Sequence, residues 1–345
     1  MVQTEEEDVS WEAVWQKSMR QMIKKHQVFF EDQELDSKYL FESFREFLAP
    51  FVMKIGAHPK LAEWPLWNLK SLTVQFFSFL NALLCKLGSI SQKMKENDDP
   101  ENLNLKVFEK DTFYNLVLQS SVLSYGAVLN REQRRVFEEA FMFYKRRFNM
   151  NIQSMVPSAR NRFSLFDMYF DCHKLRWDFL QDNLDYKMKM HHDQVRGMLL
   201  IPTLEFSQAY FSMETLYSTL WFDNTRDKAF RLLGPPASGK STILQTYMKR
   251  NPERFNALWT PMSAFMSTKE LKKNVEAFYS VKRKSKLEPK DPSKRVIIVI
   301  DDLHLHENYK DNLVDFIRTW TASHGYFDMK EGIFKEVGDF GVLLA

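Results

Sequence analysis

The chain is short of the residues that mark several common protein classes. It has two cysteines, Cys85 and Cys172, in 345 residues. Two cysteines are too few for a disulfide framework or a cysteine-rich metal site. Both cysteines are expected to be reduced thiols of a cytosolic protein. Ten glycines and twelve prolines exclude a collagen-like or low-complexity chain. We find no apolar run that approaches the length of a membrane span, and the acidic N-terminus is unlike a signal peptide.

An excess of charge of either sign is also lacking. The chain has 48 basic and 45 acidic residues and a net charge of +3. This balance gives no general attraction to nucleic acid or to membranes, so neither is expected as a partner. Apolar residues are plentiful instead, with 44% hydrophobic residues, 14% aromatic residues and 30 phenylalanines. Such a composition predicts packed cores in about two or three domains.

The few glycines mark one motif. The stretch that fits G-x-x-x-x-G-K-[ST], the phosphate-binding P-loop or Walker A pattern, is Gly234-Pro235-Pro236-Ala237-Ser238-Gly239-Lys240-Ser241. Glycines permit a tight loop whose backbone N–H groups converge on a phosphate. Lys240 adds a positive charge for the β- and γ-phosphates, and the Ser241 hydroxyl can ligate Mg²⁺. A predicted strand at residues 229–233 and a predicted helix at residues 242–250 supply the context, and a chance loop in a helical protein is the alternative.

A second motif lies downstream. Residues 296–300 are five consecutive β-branched residues, which predict a buried parallel strand. Asp301 and Asp302 follow at its carboxyl end, where ligands bind in α/β sheets, so the stretch fits a Walker B pattern. Asp301 is expected to hold Mg²⁺ and Asp302 to polarise the attacking water. The alternative for this pair is a solvated strand end.

Helical spacing of apolar residues characterises the first part of the chain. The predicted helices cover residues 11–25, 36–55, 68–87, 112–128 and 130–148. Asn130 and Gln133 fit a capping box at the start of the last of these, and residues 89–106 are expected to form a polar loop. The predicted domains are an all-helical subdomain at 1–150, a linker with a strand pair at 151–200, and a P-loop domain at 201–345.

In the P-loop domain, strands and helices are predicted to alternate. Thr203 is expected to cap a helix that ends at Leu220, and Ser267 a helix that ends at Tyr279. Further strands are predicted at residues 257–259 and 340–344, and a further helix at 311–323. The basic stretch 282–295 lacks interleaved aromatic residues, so a solvated connection is favoured there over a nucleic-acid contact. The predicted fold class is an α/β P-loop NTPase with a parallel sheet, preceded by an all-helical subdomain.

With these residues placed, the sequence resembles an axonemal-type dynein heavy chain, from the small subdomain of its second AAA+ module to the large subdomain of its third. Ile201-Pro202-Thr203 resembles the V-P-T entry of the third module, and Met262-Ser263-Ala264 its N-x-S-A step. The other stretches that resemble family motifs are Ser124-Tyr125-Gly126, Ile300-Asp301-Asp302-Leu303, Phe316-Ile317-Arg318-Thr319-Trp320 and His324-Gly325-Tyr326-Phe327-Asp328.

The resemblance implies ATP or ADP with Mg²⁺ as ligands, and it adds Pro202, Thr203 and Thr242 to the residues expected to contact the nucleotide. It also implies a motor that couples ATP hydrolysis to ciliary movement. The implied partners are the rest of the dynein AAA+ ring, dynein intermediate and light chains, and microtubules. The implied location is the cytoplasmic cytoskeleton and the ciliary axoneme.

The sequence departs from the family pattern in several places. His304 and His306 stand where the family has Asn and Pro, and residues 235–238 read Pro-Pro-Ala-Ser where Gly or Thr is common. The chain ends on the strand before the family's sensor-one position. We therefore expect a truncated fragment that has no ATPase activity alone, since the family's arginine finger and lid lie beyond that strand.

Two other functions remain open at this point. Asp302 stands where hydrolysing AAA+ proteins commonly have Glu, and the shorter carboxylate favours a regulatory or scaffold module that binds nucleotide without hydrolysing it. The other alternative is an unrelated P-loop NTPase, such as a kinase, although no acceptor site or lid is evident after the loop.

Overall fold

The structure is a computed structural model. It describes residues 11–26, 68–96, 110–147, 164–180, 203–220, 229–235, 237–263, 265–283, 285–305, 313–338 and 340–345. The chain divides into two compact units, Met1–Gln208 and Ala209–Ala345. The domain boundaries predicted at residues 150 and 200 stay predictions, and of the predicted linker at 151–200 only residues 164–180 are described.

The first unit is largely helical. Its elements are α1 (Trp11–Lys25), α2 (Leu69–Glu96), α3 (Lys110–Ser124), α4 (Arg131–Arg147), a 3₁₀ turn (Leu165–Asp167), β1 (Met168–Asp171) and β2 (Arg176–Phe179). Four predicted helices are therefore confirmed, α1 with its predicted ends and the other three with shifted ends. The helix α2 continues to Glu96, so the polar loop predicted from residue 89 was wrong in its first part. The predicted helix at residues 36–55 lies outside the described residues.

The predicted strand pair is confirmed as an antiparallel hairpin, β1–β2. It shares one hydrophobic core with the helices, in which Phe76, Phe137 and Trp177 are buried. Two side chains of α3 fasten it. The Trp177 Nε1–H donates to Asn115 Oδ1 at 3.0 Å, and the Phe170 N–H donates to Gln119 Oε1 at 2.9 Å. The hairpin is thus part of the helical unit.

The capping box before α4 is present as predicted. The Asn130 N–H donates to Gln133 Oε1 at 3.0 Å, and the Gln133 N–H donates to Asn130 Oδ1 at 3.0 Å. The two side chains thereby satisfy backbone donors that the first turn of a helix leaves without helical partners.

The helix α2 corrects one expectation. Its stretch Leu69–Ile90 has 22 residues and a mean hydropathy of 1.3, which is long and apolar enough to cross a membrane. The expectation that no run approaches such a length was therefore wrong. Length and composition do not distinguish a span from a core helix, however, and 61% of this stretch is buried against the rest of the unit, as in a core helix.

The second unit alternates strands and helices. Its elements, together with the helix that leads into it, are α5 (Leu204–Leu220), β3 (Ala229–Arg231), α6 (Lys240–Arg250), β4 (Phe255–Pro261), α7 (Thr268–Glu276), β5 (Tyr279–Arg283), β6 (Lys286–Pro289), β7 (Arg295–Asp301), α8 (Leu313–Ser323), β8 (Gly325–Asp328), β9 (Ile333–Val337) and β10 (Phe340–Leu344). Four of the strands form a parallel sheet in the order β3-β10-β7-β4. The predicted α/β fold with a parallel sheet is confirmed.

The strand β7 forms the centre of this sheet. All seven of its residues are buried, and β10 and β4 flank it in parallel register. One core includes β7 side chains with Leu271 of α7 and with Ile317 and Trp320 of α8. The run of β-branched residues therefore forms the buried parallel strand that its composition predicted.

A second sheet of four strands, in the order β5-β6-β9-β8, corrects the prediction for the basic stretch 282–295. The strands β5 and β6 pair as an antiparallel hairpin and include much of this stretch, where a solvated connection had been predicted. Leu287 is buried on the inner side, while Lys286 and Glu288 form an ion pair at 3.5 Å on the outer side. Charged outer residues concealed the alternation that marks a strand.

Candidate nucleotide site

The strand order brings the two sequence motifs to one edge of the sheet. The loop segment, residues 234–241, follows β3, and Asp301 ends β7, with β10 between the two strands. The Leu232 N–H donates to the Leu344 carbonyl at 2.9 Å, and the Ala345 N–H donates to the Ile300 carbonyl at 3.0 Å. Because the carboxyl ends of parallel strands share an edge, the loop and the acidic pair lie where α/β proteins bind ligands.

The loop segment has the backbone conformation that its glycines were expected to permit. Gly239, the N-cap of α6, has a φ of 83°, in the left-handed region that favours glycine. A Cβ on Gly234 would lie 2.8 Å from the Ser238 Oγ, so the loop folds closely upon itself. Ala237 has a φ of 60°, although it carries a Cβ. Pro236 lies outside the described residues.

Lys240 lies over this loop. Its Nζ donates to the carbonyls of Gly234 and Pro235, each at 3.1 Å. Lys240 is also the first residue of α6, whose first intrahelical bond runs from the Ile243 N–H to the Gly239 carbonyl at 2.9 Å. The first N–H groups of a helix and the positive end of its dipole attract anions. An ammonium and a helix N-terminus thus meet at the same point.

Ser241 and Asp301 are in direct contact. The Ser241 hydroxyl donates to the Asp301 Oδ1 at 2.9 Å, and Asp301 is only 8% exposed. Mg²⁺ prefers oxygen ligands at 2.0–2.1 Å in octahedral geometry, which places neighbouring ligand oxygens about 2.9 Å apart. The two side chains therefore fit as neighbouring ligands of Mg²⁺. Within the described ranges no group of three His, Cys, Asp or Glu side chains could hold a metal, so water and phosphate oxygens are the expected further ligands.

Asp302 directly follows β7, and its backbone has a φ of 58°. Aspartate tolerates this left-handed conformation better than most residues. The Asp302 carbonyl accepts the Leu305 N–H at 2.9 Å, which closes the short 3₁₀ turn Leu303–Leu305. The catalytic role of Asp302 stays a prediction.

Three other residues were predicted to contact the nucleotide, Pro202, Thr203 and Thr242, and the described contacts do not place them at this site. Thr203 caps α5, as predicted, since its Oγ1 accepts the Phe206 N–H at 3.2 Å. Pro202 lies outside the described residues, and the assignment of both residues to the nucleotide stays a prediction. Thr242 lies in the first turn of α6, and its carbonyl accepts the Thr246 hydroxyl at 2.7 Å.

The helix α6 is held against the sheet by an aromatic cluster. Its buried face consists of Ile243, Leu244, Tyr247 and Met248. The Tyr247 ring lies 6.2 Å from that of Tyr217 and 6.0 Å from that of Phe255. The Tyr217 hydroxyl donates to the Val342 carbonyl of β10 at 3.1 Å. Burial raises the pKa of both tyrosines well above the usual range, so both hydroxyls stay protonated.

Arg254 reinforces this cluster. Its guanidinium donates to the Glu214 Oε1 at 3.1 Å and to the Tyr217 carbonyl at 3.2 Å, and it lies 5.0 Å from the centre of the Phe255 ring. The sequence motifs did not point to Arg254 or Tyr217. The only sequence signal for them is the concentration of aromatic residues around α5 and α6, which does not say which groups meet.

Comparison with known proteins agrees with this geometry. Residues 188–345 match the protein family described as the P-loop containing dynein motor region. No curated protein matches the chain. The matched residues include the whole parallel sheet, the loop segment and the acidic pair. The match supports a dynein-motor-like AAA domain over residues 188–345, and the P-loop fold of this domain implies nucleotide binding.

Proposed function

We propose that this chain binds Mg-ATP and Mg-ADP at the loop segment, residues 234–241, as a nucleotide-binding module of a dynein motor. One observation carries the proposal. The hydrogen bond from Ser241 to Asp301, at 2.9 Å, joins the end of the loop to the end of β7, and the preceding residue, Lys240, places its ammonium on the carbonyls of the same loop. A hydroxyl, a carboxylate and a cation at a helix N-terminus are the groups that a magnesium-bound triphosphate requires.

Each residue has a separate role in this proposal. The backbone N–H groups of Gly239 and of the first turn of α6 face the phosphates, and the Lys240 ammonium moves from the loop carbonyls to phosphate oxygens. Ser241 and Asp301 hold Mg²⁺, which neutralises phosphate charge when it is bound. Asp302 orients the water that attacks the terminal phosphate.

The wider setting is part of the same proposal. We infer that the domain belongs to a dynein AAA+ ring that acts on microtubules, with dynein intermediate and light chains as partners of the whole motor. The family match over residues 188–345 supports the ring, and the axonemal-type motifs support a place in the cilium. The cytoplasmic cytoskeleton and the axoneme are the proposed locations.

A regulatory module that binds nucleotide without hydrolysing it is the second candidate. Asp302 favours it, because its carboxylate is one methylene shorter than that of the glutamate common in hydrolysing AAA+ proteins, which shortens its reach to a water beside the terminal phosphate. Binding is common to the two candidates, and only turnover separates them.

Calorimetry on the full chain with Mg-ATP and Mg-ADP tests binding. The Lys240→Ala variant should bind at least about tenfold more weakly, because a charge-assisted hydrogen bond contributes roughly 1.5–3 kcal/mol. Lys249→Ala is the matched control, since Lys249 is exposed in the last turn of the same helix and should leave the affinity unchanged.

Equal affinities of the wild-type chain and Lys240→Ala would refute the proposed site. A single-turnover assay on the same samples, with Asp302→Asn as control, then separates hydrolysis from binding. Turnover that is lost in Asp302→Asn supports the motor function, and turnover that persists in Asp302→Asn would contradict the role of Asp302.

A further inference from the structure

One residue of the loop segment has a backbone conformation that its side chain disfavours. Among the described residues other than glycine, positive φ angles occur at Leu175, Ala237, Asp302 and His324. Aspartate and histidine adopt the left-handed region more readily than most residues. Ala237, with a φ of 60°, lacks a polar side chain that could stabilise this conformation, and it lies inside the loop that we assign to the phosphates.

The reason for the positive φ is a tight turn. The Ser238 N–H donates to the Pro235 carbonyl at 3.3 Å, so Ala237 is the third residue of a four-residue turn. A hydrogen-bonded turn with positive φ at this position has the features of type II, which favours proline second and glycine third. The sequence supplies Pro236 second but alanine third.

This turn sets the geometry of the rest of the loop. The Pro235 carbonyl that closes the turn also accepts the Lys240 Nζ at 3.1 Å. The Ser238 side chain, at the end of the turn, lies against Gly234. If Ala237 leaves the left-handed region, the turn opens. The Lys240 ammonium and the backbone N–H groups after the turn then no longer point towards the same phosphate position. The phosphate-binding shape of the loop therefore depends on the conformation of Ala237.

We propose that Ala237 lowers the nucleotide affinity of this site, because its Cβ shifts the empty loop away from the phosphate-binding shape. The inference rests on the proposed function and identifies a residue that sets the affinity of the same site. A ligand that binds one of two loop shapes has its apparent affinity reduced by the fraction of chains in that shape. Glycine at this position has no Cβ and adopts the left-handed conformation freely. It therefore raises the fraction of chains in the phosphate-binding shape.

Glycine also has an opposing effect, because it gives the empty loop more conformations to lose on binding. The preference of an L-residue against the left-handed region is about twice as large as this entropic effect. We therefore expect Ala237→Gly to bind Mg-ADP about threefold or more tightly than the wild-type chain. Ala237→Val should bind more weakly by about fivefold or more, since a β-branched residue tolerates positive φ least.

Ser238→Gly is the matched control. It adds the same flexibility one position later, where the backbone does not have a positive φ, so it should not tighten binding. Calorimetry with Mg-ADP on the four full-length chains, each checked for folding by circular dichroism, gives all the affinities. A tightening confined to Ala237→Gly, with weakening in Ala237→Val, supports the inference.

The outcomes distinguish the inference from the proposed function. Binding by the wild-type chain with no gain in Ala237→Gly overturns the inference and leaves the nucleotide site intact. An equal gain in Ser238→Gly also overturns it, because flexibility in general would then be the cause. Absence of Mg-ADP binding in every chain overturns the proposed function, and the inference with it.

Discussion

Replacement of Asp301 by asparagine should stabilise the empty protein and weaken the binding of Mg-nucleotide at the same time. The Asp301 carboxylate is 8% exposed at the end of β7 and accepts the Ser241 hydroxyl. Asparagine has nearly the same shape and keeps an oxygen that can accept this hydrogen bond. The substitution therefore removes a buried negative charge and preserves the packing around it.

The expected gain follows from two opposing effects. Burial of an ion costs several kcal/mol even after the protein relaxes, and the partial exposure of Asp301 reduces that cost. A hydrogen bond to a charged acceptor contributes about 1 kcal/mol more than one to a neutral acceptor, and asparagine loses this difference. We expect a net rise of about 1 kcal/mol in the free energy of unfolding, as is common where a functional charge is removed.

Ser241→Ala should have the opposite effect on the empty protein. It removes the donor and leaves the buried Asp301 carboxylate without the Ser241 hydroxyl, which should lower the free energy of unfolding by about 1.5–3 kcal/mol. Both variants should lose most of the stabilisation that Mg-ADP gives the wild-type chain, because a ligand stabilises in proportion to the logarithm of its concentration over its Kd. The two substitutions thus have opposite effects on the free energy of unfolding of the empty protein, and the same effect on its stabilisation by Mg-ADP.

Urea unfolding of the full chain, followed by hydrogen exchange of peptides that cover β7, measures this unit separately from the helical one. Each variant is compared with and without Mg-ADP. If Asp301→Asn destabilised the empty protein by more than about 1 kcal/mol, the carboxylate would be a structural group, and the argument from its burial would fail.

Two predictions concern the helical unit. His26 is buried, its Nε2 lies 3.1 Å from the Asn81 Oδ1, and burial lowers its pKa to about 4. Because the unfolded chain binds this proton near pH 6.5, stability should be full above that pH and fall by about 3 kcal/mol as the pH drops to 4. Urea unfolding at several pH values from 4 to 7 gives the free energy of unfolding at each pH. This free energy should change less with pH in His26→Gln than in the wild-type chain, and an equal change would contradict the assignment. Asn130→Ala removes the cap of α4 and should lower the free energy of unfolding by about 1 kcal/mol, whereas Arg131→Ala should not. Thermal unfolding of both variants checks this, and equal midpoints would show that the cap contributes nothing.

The parts of the fold that were predictable from the sequence are those that neighbouring residues determine. The capping box of Asn130 and Gln133 needs only residues three positions apart, and the loop segment is defined by eight consecutive positions. The strand β7 was predictable because a strand buried on both faces leaves an unbroken apolar run. For the candidate site, the motifs supplied Lys240, Ser241 and Asp301.

The parts that were missed depend on contacts between distant residues. The hairpin β5–β6 is rich in lysine, and its burial rests on pairing with β9, about 50 residues further along the chain, so no local pattern predicts it. The position of β10 between β3 and β7 is likewise absent from local periodicity. Tyr217 and Arg254 stabilise the cluster that holds α6 against the sheet through such distant contacts, and no sequence motif contains them.

The position of β10 also has a consequence for how this unit folds. Among the strands that the structure describes, β3 pairs with β10 alone, and β10 is about 110 residues further along the chain. Ribosomes add about 5–20 residues per second, so the strand that leads into the loop segment waits roughly 5–20 s for its partner during synthesis. From the synthesis of β7 until β10 follows it, about 40 residues later, one edge of the buried, β-branched strand β7 also stays uncovered, a state that favours aggregation. The nucleotide loop is thus set in place by a pairing between distant strands, and a chaperone that shields β7 until β10 pairs with it would raise the yield of folded protein.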